Sequence, residues 1–310
     1  MSALICGSFA YDNIMVFPDY FKNHILPEKV HILNVSFMVP ELRREFGGCA
    51  GNIAYNLMLL GGEGHPMGTV GQDFTPYARW MDAQNISRKF VTHVTGQFTA
   101  QAYITTDLDD NQITAFHPGA MTCSHHNKVS DAAGVTLGIV SPDGRDGMIQ
   151  HAQQFAEAGI PFIFDPGQGM PMFDGSDLLQ FVKQATWVCL NDYEWQLLQE
   201  RTGLTIDEVT AKVKALIITH GAKGSLIHTR EGKLEIAPAT VGDVLDPTGC
   251  GDAYRAGLLY GLLNGLELAT TGRIASLMGA IKIEAHGTQN HRFSREEFAD
   301  RFAENYGYRI

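Results

Sequence analysis

The sequence lacks paired cysteines, an excess of positive charge and any long hydrophobic run. Its five cysteines are widely spaced and form no C-x-x-C motif, which argues against a disulfide framework or a zinc site. With 23 basic and 34 acidic residues, the net charge of −11 disfavours binding to a nucleic-acid backbone. No apolar run reaches the roughly 18 residues of a membrane span, and the first residues do not form a secretory signal. These features predict a soluble, cytoplasmic protein that binds neither nucleic acid nor membrane.

A Walker-type phosphate-binding loop is also absent, because the pattern G-x-x-x-x-G-K-[ST] does not occur in the sequence. What the chain does contain is typical of a globular protein. Its 310 residues are 45% hydrophobic and 18% charged, which is enough for one large core and unlike the composition of a disordered chain. We therefore expect a single domain over residues 1–310, with a small appendage.

Predicted strands and helices alternate along the second half of the chain. The predicted strands cover 138–141, 161–165, 187–191 and 216–219, with a hairpin starting at 225–229. The predicted helices cover 146–158, 176–184 and 194–202, and a final surface helix starts at a capping box formed by Ser294 and Glu297. Together with a buried strand at Leu4–Gly7, this alternation indicates a layered α/β sheet. Ligands bind beyond the carboxyl ends of the strands in such sheets.

Two β-rich segments fall outside this alternation, at about 12–45 and 93–117. In the second segment, a strand from Phe98 is followed by a turn at 109–112 and by a return strand. We expect the two segments to assemble into one small sheet that covers a cleft. The first segment alternates weakly between apolar and polar residues, which predicts strand through Val30, Ile32, Val35, Phe37 and Val39.

The strongest chemical signal is the motif Asp246-Pro-Thr-Gly-Cys-Gly-Asp252, which leads directly into a long apolar helix. The free N–H groups and the dipole of a helix start bind anions, and Gly249 and Gly251 allow a phosphate to approach the backbone. Asp252 would repel a bound phosphate, but it suits a general base for an acceptor hydroxyl while the N–H groups stabilise the transferring phosphoryl group. The alternative is a helix N-cap with a packing turn.

Two further motifs accompany it. Phe46-Gly-Gly-Cys-Ala-Gly-Asn52 is a glycine-rich turn that enters a helix, and the amide of Asn52 can bind sugar hydroxyls; the alternative is a tight strand-to-helix turn. Asn191-Asp-Tyr-Glu194 follows a buried strand, and Glu194 suits an outer-shell contact to hydrated Mg²⁺. The alternative for this motif is a helix N-cap at Asn191 with an acidic first turn.

Together these motifs resemble the ribokinase-like (PfkB) family of carbohydrate and nucleoside kinases. The resemblance extends from Gly7 to about Gly287 and rests on G-G-x-x-x-N near residue 50 and D-x-x-G-x-G-D near residue 250. It implies a three-layer α/β sandwich with a mainly parallel central sheet, and a small β-sheet lid formed by the segments 12–45 and 93–117. It also implies ATP as the phosphoryl donor, Mg²⁺, K⁺ in some members, and a homodimer formed through the lid.

The resemblance assigns roles to individual residues. It makes Asp252 the catalytic base and the backbone of Gly249, Cys250 and Gly251 an anion hole. The implied substrate contacts are Ser8, Asp12, Gly48 and Asn52, and the implied ATP contacts are Asn191, Thr219, Gly221 and Gly224. Glu194 is implied to contact Mg²⁺ through water. Asp246, with the segment 285–291, is implied to contact a monovalent cation.

The acceptor is indicated by a different set of residues. The substrate motifs contain no cation, which disfavours a phosphosugar, although Arg43 and Arg44 lie close in sequence. The segment beginning at Phe116 resembles the lid-return segment of prokaryotic nucleoside kinases, including adenosine-kinase-like members, and an aromatic ring can stack on a purine. The alternative is that Phe98, Tyr103 and Phe116 form the core of the lid itself.

These residues predict a kinase that converts adenosine, inosine or guanosine to the 5′-monophosphate. Two alternatives stay open. One is a ribokinase-type kinase of a free sugar such as ribose. The other is a catalytically inactive regulator that binds a nucleoside or sugar on the same fold.

Overall fold

The computed structural model describes residues 1–25, 34–109 and 111–310. The strands are β1 (Ser2–Cys6), β2 (Ala10–Val16), β3 (Glu41–Gly47), β4 (Glu63–Val70), β5 (Phe90–His93), β6 (Ala100–Thr106), β7 (Gln112–His117), β8 (Leu137–Val140), β9 (Phe162–Phe164), β10 (Trp187–Asn191), β11 (Ala215–Thr219), β12 (Ser225–Thr229) and β13 (Gly232–Ile236). The α-helices are α1 (Cys49–Leu59), α2 (Thr75–Ala83), α3 (Arg145–Glu157), α4 (Gly175–Gln184), α5 (Asp192–Thr202), α6 (Ile206–Thr210), α7 (Cys250–Leu263), α8 (Leu268–Ile283) and α9 (Arg295–Tyr306).

The larger sheet has nine strands in the order β13-β12-β11-β10-β9-β8-β1-β4-β5. All neighbouring pairs from β5 to β11 are parallel, whereas β12 pairs in the antiparallel sense with both β11 and β13. This confirms the predicted mainly parallel sheet. After β1 the chain adds β4 and β5 on one side of β1, and it later returns to add β8 on the other side. The strand order therefore reverses between β1 and β8. A reversal of this kind opens a crevice at the carboxyl ends of the strands.

Helices cover both faces of this sheet, and the side chains of each strand alternate between two hydrophobic cores. In β1, Ala3 and Ile5 pack in the core that contains α1 and α7, whereas Leu4 and Cys6 pack in the core that contains α3, α4 and α5. This alternation explains why the parallel strands are nearly continuous apolar runs. The result is a three-layer arrangement of helices, sheet and helices. No helix among the described residues is long and apolar enough to cross a membrane.

The smaller sheet has four strands in the order β3-β2-β6-β7. Its strands come from the two predicted β-rich segments, although β2 starts at Ala10 and β5, which ends at His93, belongs to the larger sheet. The predicted strand through Val35, Phe37 and Val39 is wrong, because residues 34–40 contain no strand and β3 starts at Glu41. Phe37 instead packs against the rings of Phe17 and Phe21, with centroids 4.7 and 5.1 Å away. The predicted strand positions Val30 and Ile32 lie outside the described residues.

The predicted helices of the second half are confirmed to within one or two residues at most ends, including α9, which starts at the Ser294–Glu297 capping box. Three helices were not predicted: α2, α6 and α8. In α8, Ile274, Leu277, Met278 and Ile281 are buried among many other apolar residues, so the helix lacks the polar stripe that makes a helical period visible.

Candidate active site

The carboxyl ends of the parallel strands carry many of the residues predicted to bind substrate or ATP. Ser8 follows β1, whereas Asn191 and Thr219 are the last residues of β10 and β11 and lie side by side in the sheet register. Asp165, which was not predicted to be functional, directly follows β9. The crevice that the sheet topology opens is therefore bordered by polar side chains.

The predicted glycine-rich turn at Gly48 holds the start of α1 against the loop after β1. Gly48 caps α1 with a φ of +87°, and an added Cβ would lie 2.5 Å from the carbonyl oxygen of Ser8. Ser8 accepts hydrogen bonds from the start of α1, through its carbonyl oxygen from Ala50 N–H (3.0 Å) and through Oγ from Cys49 N–H (3.3 Å). Ser8 and Gly48 therefore fix the position from which Asn52 reaches the site.

The two signature motifs meet at the start of α7. Gly249 caps α7 in the left-handed conformation with a φ of +80°, which places Asp252 in the first turn. Asn52 Nδ2 donates a hydrogen bond of 2.8 Å to Asp252 Oδ2 across 200 residues of sequence. The carboxylate predicted to be the base and the amide predicted to bind substrate are thus neighbours.

The predicted anion hole needs one adjustment. The Cys250 N–H donates to the carbonyl oxygen of Pro247 at 3.2 Å, so this group is engaged in a turn. The N–H groups of Gly251 and Asp252 belong to the first helical turn, which has no intrahelical acceptors for them. Burial raises the pKa of the Cys250 thiol to about 11, which agrees with a packing role rather than a nucleophilic one.

A chain of hydrogen bonds that was not predicted holds Asn52 in place. Gln289 Nε2 donates to Asn52 Oδ1 at 2.9 Å, and Trp80 Nε1 donates to Gln289 Oε1 at 2.9 Å. Gln289 Nε2 also donates to the Tyr77 hydroxyl oxygen, which in turn donates to the Gly47 carbonyl oxygen at 3.0 Å. Since both ends of the Asn52 amide are engaged, its amide nitrogen is oriented toward Asp252. Gln289 lies in the segment 285–291, which the family resemblance had linked to a monovalent cation.

The environment of Asp252 raises its pKa to about 6. Burial is the largest cause, and the nearby carboxylate of Asp165 adds to it. The hydrogen bond from Asn52 and the charge of Arg255 act in the opposite direction. A carboxylate with this pKa is mostly ionised at neutral pH and is still a better proton acceptor than an ordinary aspartate, as a general base requires.

A buried ion pair lies beneath this turn and was missed in the sequence. Arg255 Nη2, one helical turn after Asp252, donates to Asp165 Oδ1 at 2.9 Å and lies 4.0 Å from Glu194 Oε2. Burial alone would lower the pKa of Arg255, but Asp165 and Glu194 raise it well above its ordinary value. The sequence feature that could have indicated this ion pair is a single arginine, Arg255, in the otherwise apolar helix after the Asp246–Asp252 motif.

Asp12 and Phe116 lie on the same face of the smaller sheet. Asp12 on β2 pairs with Ala102 on β6, which pairs with Phe116 on β7, so the three residues form one row across the strands. Burial raises the pKa of Asp12 to about 6, and the carboxylates of Asp246 and Glu45 contribute. An added Cβ at Gly47 would lie 2.6 Å from Asp12 Oδ2, so Asp12 borders the turn that leads to Asn52.

The three aromatic side chains named in the sequence as a possible lid core do not form one. Phe98, Tyr103 and Phe116 are 48%, 43% and 52% exposed, and every residue of β7 is exposed. The alternative that these rings only pack against one another is therefore wrong. Phe116 presents a half-exposed ring on the face that carries Asp12.

The predicted ATP and Mg²⁺ residues have clear structural roles. Asn191 caps α5: Asn191 Oδ1 accepts from the Glu194 N–H and Glu194 Oε2 accepts from the Asn191 N–H, each at 2.8 Å, as a capping box requires. The motif therefore forms the helix N-cap with an acidic first turn that was its alternative interpretation. Gly221 and Gly224 bound the turn after Thr219, which is closed by a hydrogen bond from the His220 N–H to the Gly224 carbonyl.

The side chain of Asp246, the predicted monovalent-cation contact, accepts hydrogen bonds from the main chain of two loops. Asp246 Oδ1 and Oδ2 accept hydrogen bonds of 2.9 Å from the N–H groups of Thr248 and Gly287. Burial alone would raise the pKa of Asp246, but these hydrogen bonds hold it below its ordinary value. The Asp246 main-chain carbonyl accepts from Lys282 Nζ at 2.7 Å.

Comparison with known proteins identifies the family. A family model described as pfkB family carbohydrate kinase matches residues 17–294. A nucleoside kinase of Methanocaldococcus jannaschii is 32% identical over 275 residues, which cover 88% of this chain and 89% of that protein. A Burkholderia thailandensis nucleoside kinase, solved in complex with inosine, is 52% identical in sequence to this chain. Its structure superposes with a TM-score of 0.90 over 99% of each chain. The same enzyme in complex with ADP-inosine is 54% identical, with a TM-score of 0.88, and covers 99% of this chain and 97% of that chain.

The family model spans most of the sequence, and these similarities extend over nearly the whole of both chains. The chain therefore belongs to the pfkB family of carbohydrate kinases, and it is an ATP-dependent phosphotransferase.

Proposed function

We propose that this kinase transfers the γ-phosphoryl group of ATP to the 5′-hydroxyl of a ribonucleoside, with Asp252 as the general base. The observation that supports a ribonucleoside as the acceptor is that Asp12, Ala102 and Phe116 form one row on one face of the smaller sheet. Neighbouring strands lie about 4.8 Å apart, so the backbones at Asp12 and Phe116 are separated by roughly 10 Å. That distance is comparable to the length of a ribonucleoside, with the ribose at Asp12 and the base against Phe116.

The related proteins support the same acceptor class. The Burkholderia thailandensis enzyme is a nucleoside kinase whose structures contain inosine, and the Methanocaldococcus jannaschii protein is a nucleoside kinase as well. A free sugar would leave the exposed ring of Phe116 without a partner. An aromatic ring stacked on a base contributes about 1–3 kcal/mol.

The proposed reaction uses the start of α7 for both proton and phosphoryl transfer. Asp252 accepts the proton of the 5′-hydroxyl as its oxygen attacks the γ-phosphorus and the bond to the β,γ-bridging oxygen breaks, which releases ADP. Because Asn52 engages Asp252 Oδ2, the other carboxylate oxygen is left for the proton. The N–H groups of Gly251 and Asp252 stabilise the oxygens of the transferring group.

ATP is proposed to lie along the carboxyl ends of β10 and β11. Asn191 and Thr219 are register neighbours there, and the turn through Gly221 is exposed beside them. Gly221 has open space around it, so a nucleotide could approach the backbone closely at this point. The phosphates would then point toward the start of α7.

Mg²⁺ is proposed to bind mainly through the ATP phosphates, with Glu194 as an outer contact. Both oxygens of Glu194 already accept hydrogen bonds from Asn191, so a contact through water fits better than direct coordination. No group of three or more His, Cys, Asp or Glu side chains in the described part of the chain could hold a metal alone. When bound, Mg²⁺ would neutralise charge on the β- and γ-phosphates.

The smaller sheet is proposed to act as a lid and as a dimer interface. Closure of the Asp12 face over the nucleoside would exclude water from the reacting phosphate. The opposite face presents Leu42, Tyr103 and Ile113, which are 67%, 43% and 43% exposed. We expect the protein to be a homodimer in light scattering and Leu42→Glu to shift it toward the monomer; a monomeric parent protein would refute this interface.

The acceptor is tested by measuring ADP release with adenosine, inosine, guanosine and ribose. We expect nucleosides to give far higher kcat/KM than ribose, with the phosphate on the 5′-oxygen by ³¹P NMR. A preference for ribose would replace the proposal by the ribokinase-type alternative.

The role of Phe116 is tested by Phe116→Ala, with Tyr103→Ala as a matched control on the opposite face. Loss of 1–3 kcal/mol of stacking predicts a rise in nucleoside KM of roughly 5- to 150-fold for Phe116→Ala. Tyr103→Ala should leave KM close to that of the parent. Equal effects of the two substitutions would show that the ring of Phe116 does not contact the base.

The role of Asp252 is tested by Asp252→Asn. Loss of the general base should lower kcat by about 10²–10⁴-fold while nucleoside binding, measured by calorimetry, stays close to that of the parent. A variant that turns over like the parent would show that Asp252 is not the base.

A further inference from the structure

Lys282 is fully buried behind the phosphate-binding turn. It lies near the end of α8 with 0% of its surface exposed, and its Nζ donates to the main-chain carbonyl oxygens of Asp246 (2.7 Å) and Ala285 (3.0 Å). A buried ammonium group is strongly unfavourable unless it is paired or fully hydrogen-bonded. These two carbonyl groups provide that compensation.

The two carbonyls belong to the segments in which the family resemblance places a monovalent cation. Main-chain carbonyl oxygens bind K⁺ by replacing its hydration shell, and a lysine ammonium is a compact single charge that binds the same groups. A second cation about 4 Å from Lys282 Nζ would be repelled by roughly 4 kcal/mol at an effective dielectric constant of 20. The residues present therefore do not fit a bound K⁺, because the ammonium already uses the carbonyls.

The contacts of Lys282 connect it to the catalytic turn. Its acceptor, Asp246, opens the motif that ends at Asp252, and the Asp246 side chain ties the Thr248 and Gly287 N–H groups together. The charge of Lys282 also reaches the start of α7, where it counteracts the effect of burial on the pKa of the Cys250 thiol. The ammonium thus both braces the turn and adds positive potential beside the N–H groups that face the phosphate.

We propose that the Lys282 ammonium takes the place of a monovalent metal cation at this turn, so that phosphoryl transfer by this enzyme does not require K⁺. The inference rests on the proposed kinase activity but not on the acceptor, since any substrate that the enzyme phosphorylates can report it. A wrong acceptor and a wrong role for Lys282 are therefore distinguishable.

The first test uses the unmodified enzyme. Initial rates and thermal unfolding are measured in KCl, NaCl and choline chloride at equal ionic strength, with Mg²⁺ and ATP constant. We expect the same kcat, KM and Tm in all three salts. A several-fold rise in kcat together with a higher Tm when K⁺ replaces choline would overturn the proposal.

The second test removes the ammonium. Lys282→Ala leaves a space bordered by the Asp246 and Ala285 carbonyls, and we expect kcat to fall on the order of 10- to 100-fold through displacement of the turn. Ammonium, methylammonium or K⁺ should restore part of kcat and raise Tm in this variant, while having no effect on the parent enzyme.

Two further variants keep this test decisive. Lys282→Met fills the volume without the charge, so it should fold, lose kcat and resist rescue. Lys183→Ala, which removes an exposed lysine from α4, should behave as the parent does in every salt. If Lys282→Met keeps the parental kcat, or if Lys282→Ala is rescued by none of the cations in either kcat or Tm, the ammonium does not substitute for a cation.

Discussion

Replacing Arg255 by methionine would leave two buried carboxylates beside the catalytic turn without their cation. The side chains of Arg255 and Asp165 are 7% and 4% exposed, so water cannot take the place of the guanidinium. Removing one partner of a buried ion pair costs about 3–5 kcal/mol. Since 1 kcal/mol corresponds to a few degrees in a protein of this size, we expect Tm to fall by roughly 5–15 °C.

A second substitution separates the ion pair from the loss of a large side chain. In Arg255→Met with Asp165→Leu, both charged partners become apolar, and such replacements are often neutral. We therefore expect the double variant to recover most of the stability that Arg255→Met loses. The recovery would be incomplete, because Glu194 lies 4.0 Å from the same guanidinium and Ser141 Oγ loses its acceptor on Asp165.

The measurement is equilibrium urea unfolding followed by tryptophan fluorescence, since Trp195 is next to Glu194 on α5. Arg88→Met serves as the control, because the Arg88–Asp82 pair is 40% and 54% exposed and should change stability by no more than about 0.5 kcal/mol. The reasoning is refuted if Arg255→Met unfolds at the same urea concentration as the control. It is also refuted if the free energy of unfolding lost in the double variant equals the sum of the losses for Arg255→Met and Asp165→Leu alone. Residues that interact must show a difference between these two values.

Three other outcomes follow from the site. Because the pKa values of Asp252 and Asp12 are both raised to about 6, kcat/KM should decline as pH falls through 6, more steeply than for one titrating group; a flat profile down to pH 5 would contradict both assignments. Gln289→Leu should lower kcat by about 10- to 100-fold with little change in KM, because Asn52 loses its orienting partner; a change in KM alone would contradict this. Gly48→Ala should reduce the free energy of unfolding by about 2 kcal/mol or more, since its φ of +87° and the close approach of backbone atoms exclude a Cβ; unaltered stability in urea would be incompatible with this turn.

Features that depend on local sequence were predicted correctly. The capping box at Ser294, the strand that ends at Asn191 and the glycine-rich start of α7 are each specified by a few consecutive residues. The failed strand prediction at 34–40 shows the limit of a local pattern. Alternating apolar residues occur there, but Phe37 packs into an aromatic cluster instead of joining a sheet.

Features that depend on distant partners were not predictable in this way. Gln289 reaches Asn52 across 237 residues, and Lys282 reaches Asp246 across 36. Arg255 looks like an exposed charge until the fold brings Asp165 against it. Each of these side chains is an ordinary polar residue in the sequence, and its role arises only from the atoms that surround it.

The amino-acid sequence by itself determined the layered α/β architecture, the glycine turns at two helix starts and the carboxylate that follows one of them, because backbone conformation and capping are short-range properties. Only the tertiary structure decided the raised pKa of Asp252, the exposure of Phe116 on the face that carries Asp12 and the burial of Lys282 against two main-chain carbonyls. Burial, electrostatic potential and the pairing of charges depend on which groups the folded chain brings within a few ångströms, and sequence spacing does not specify that.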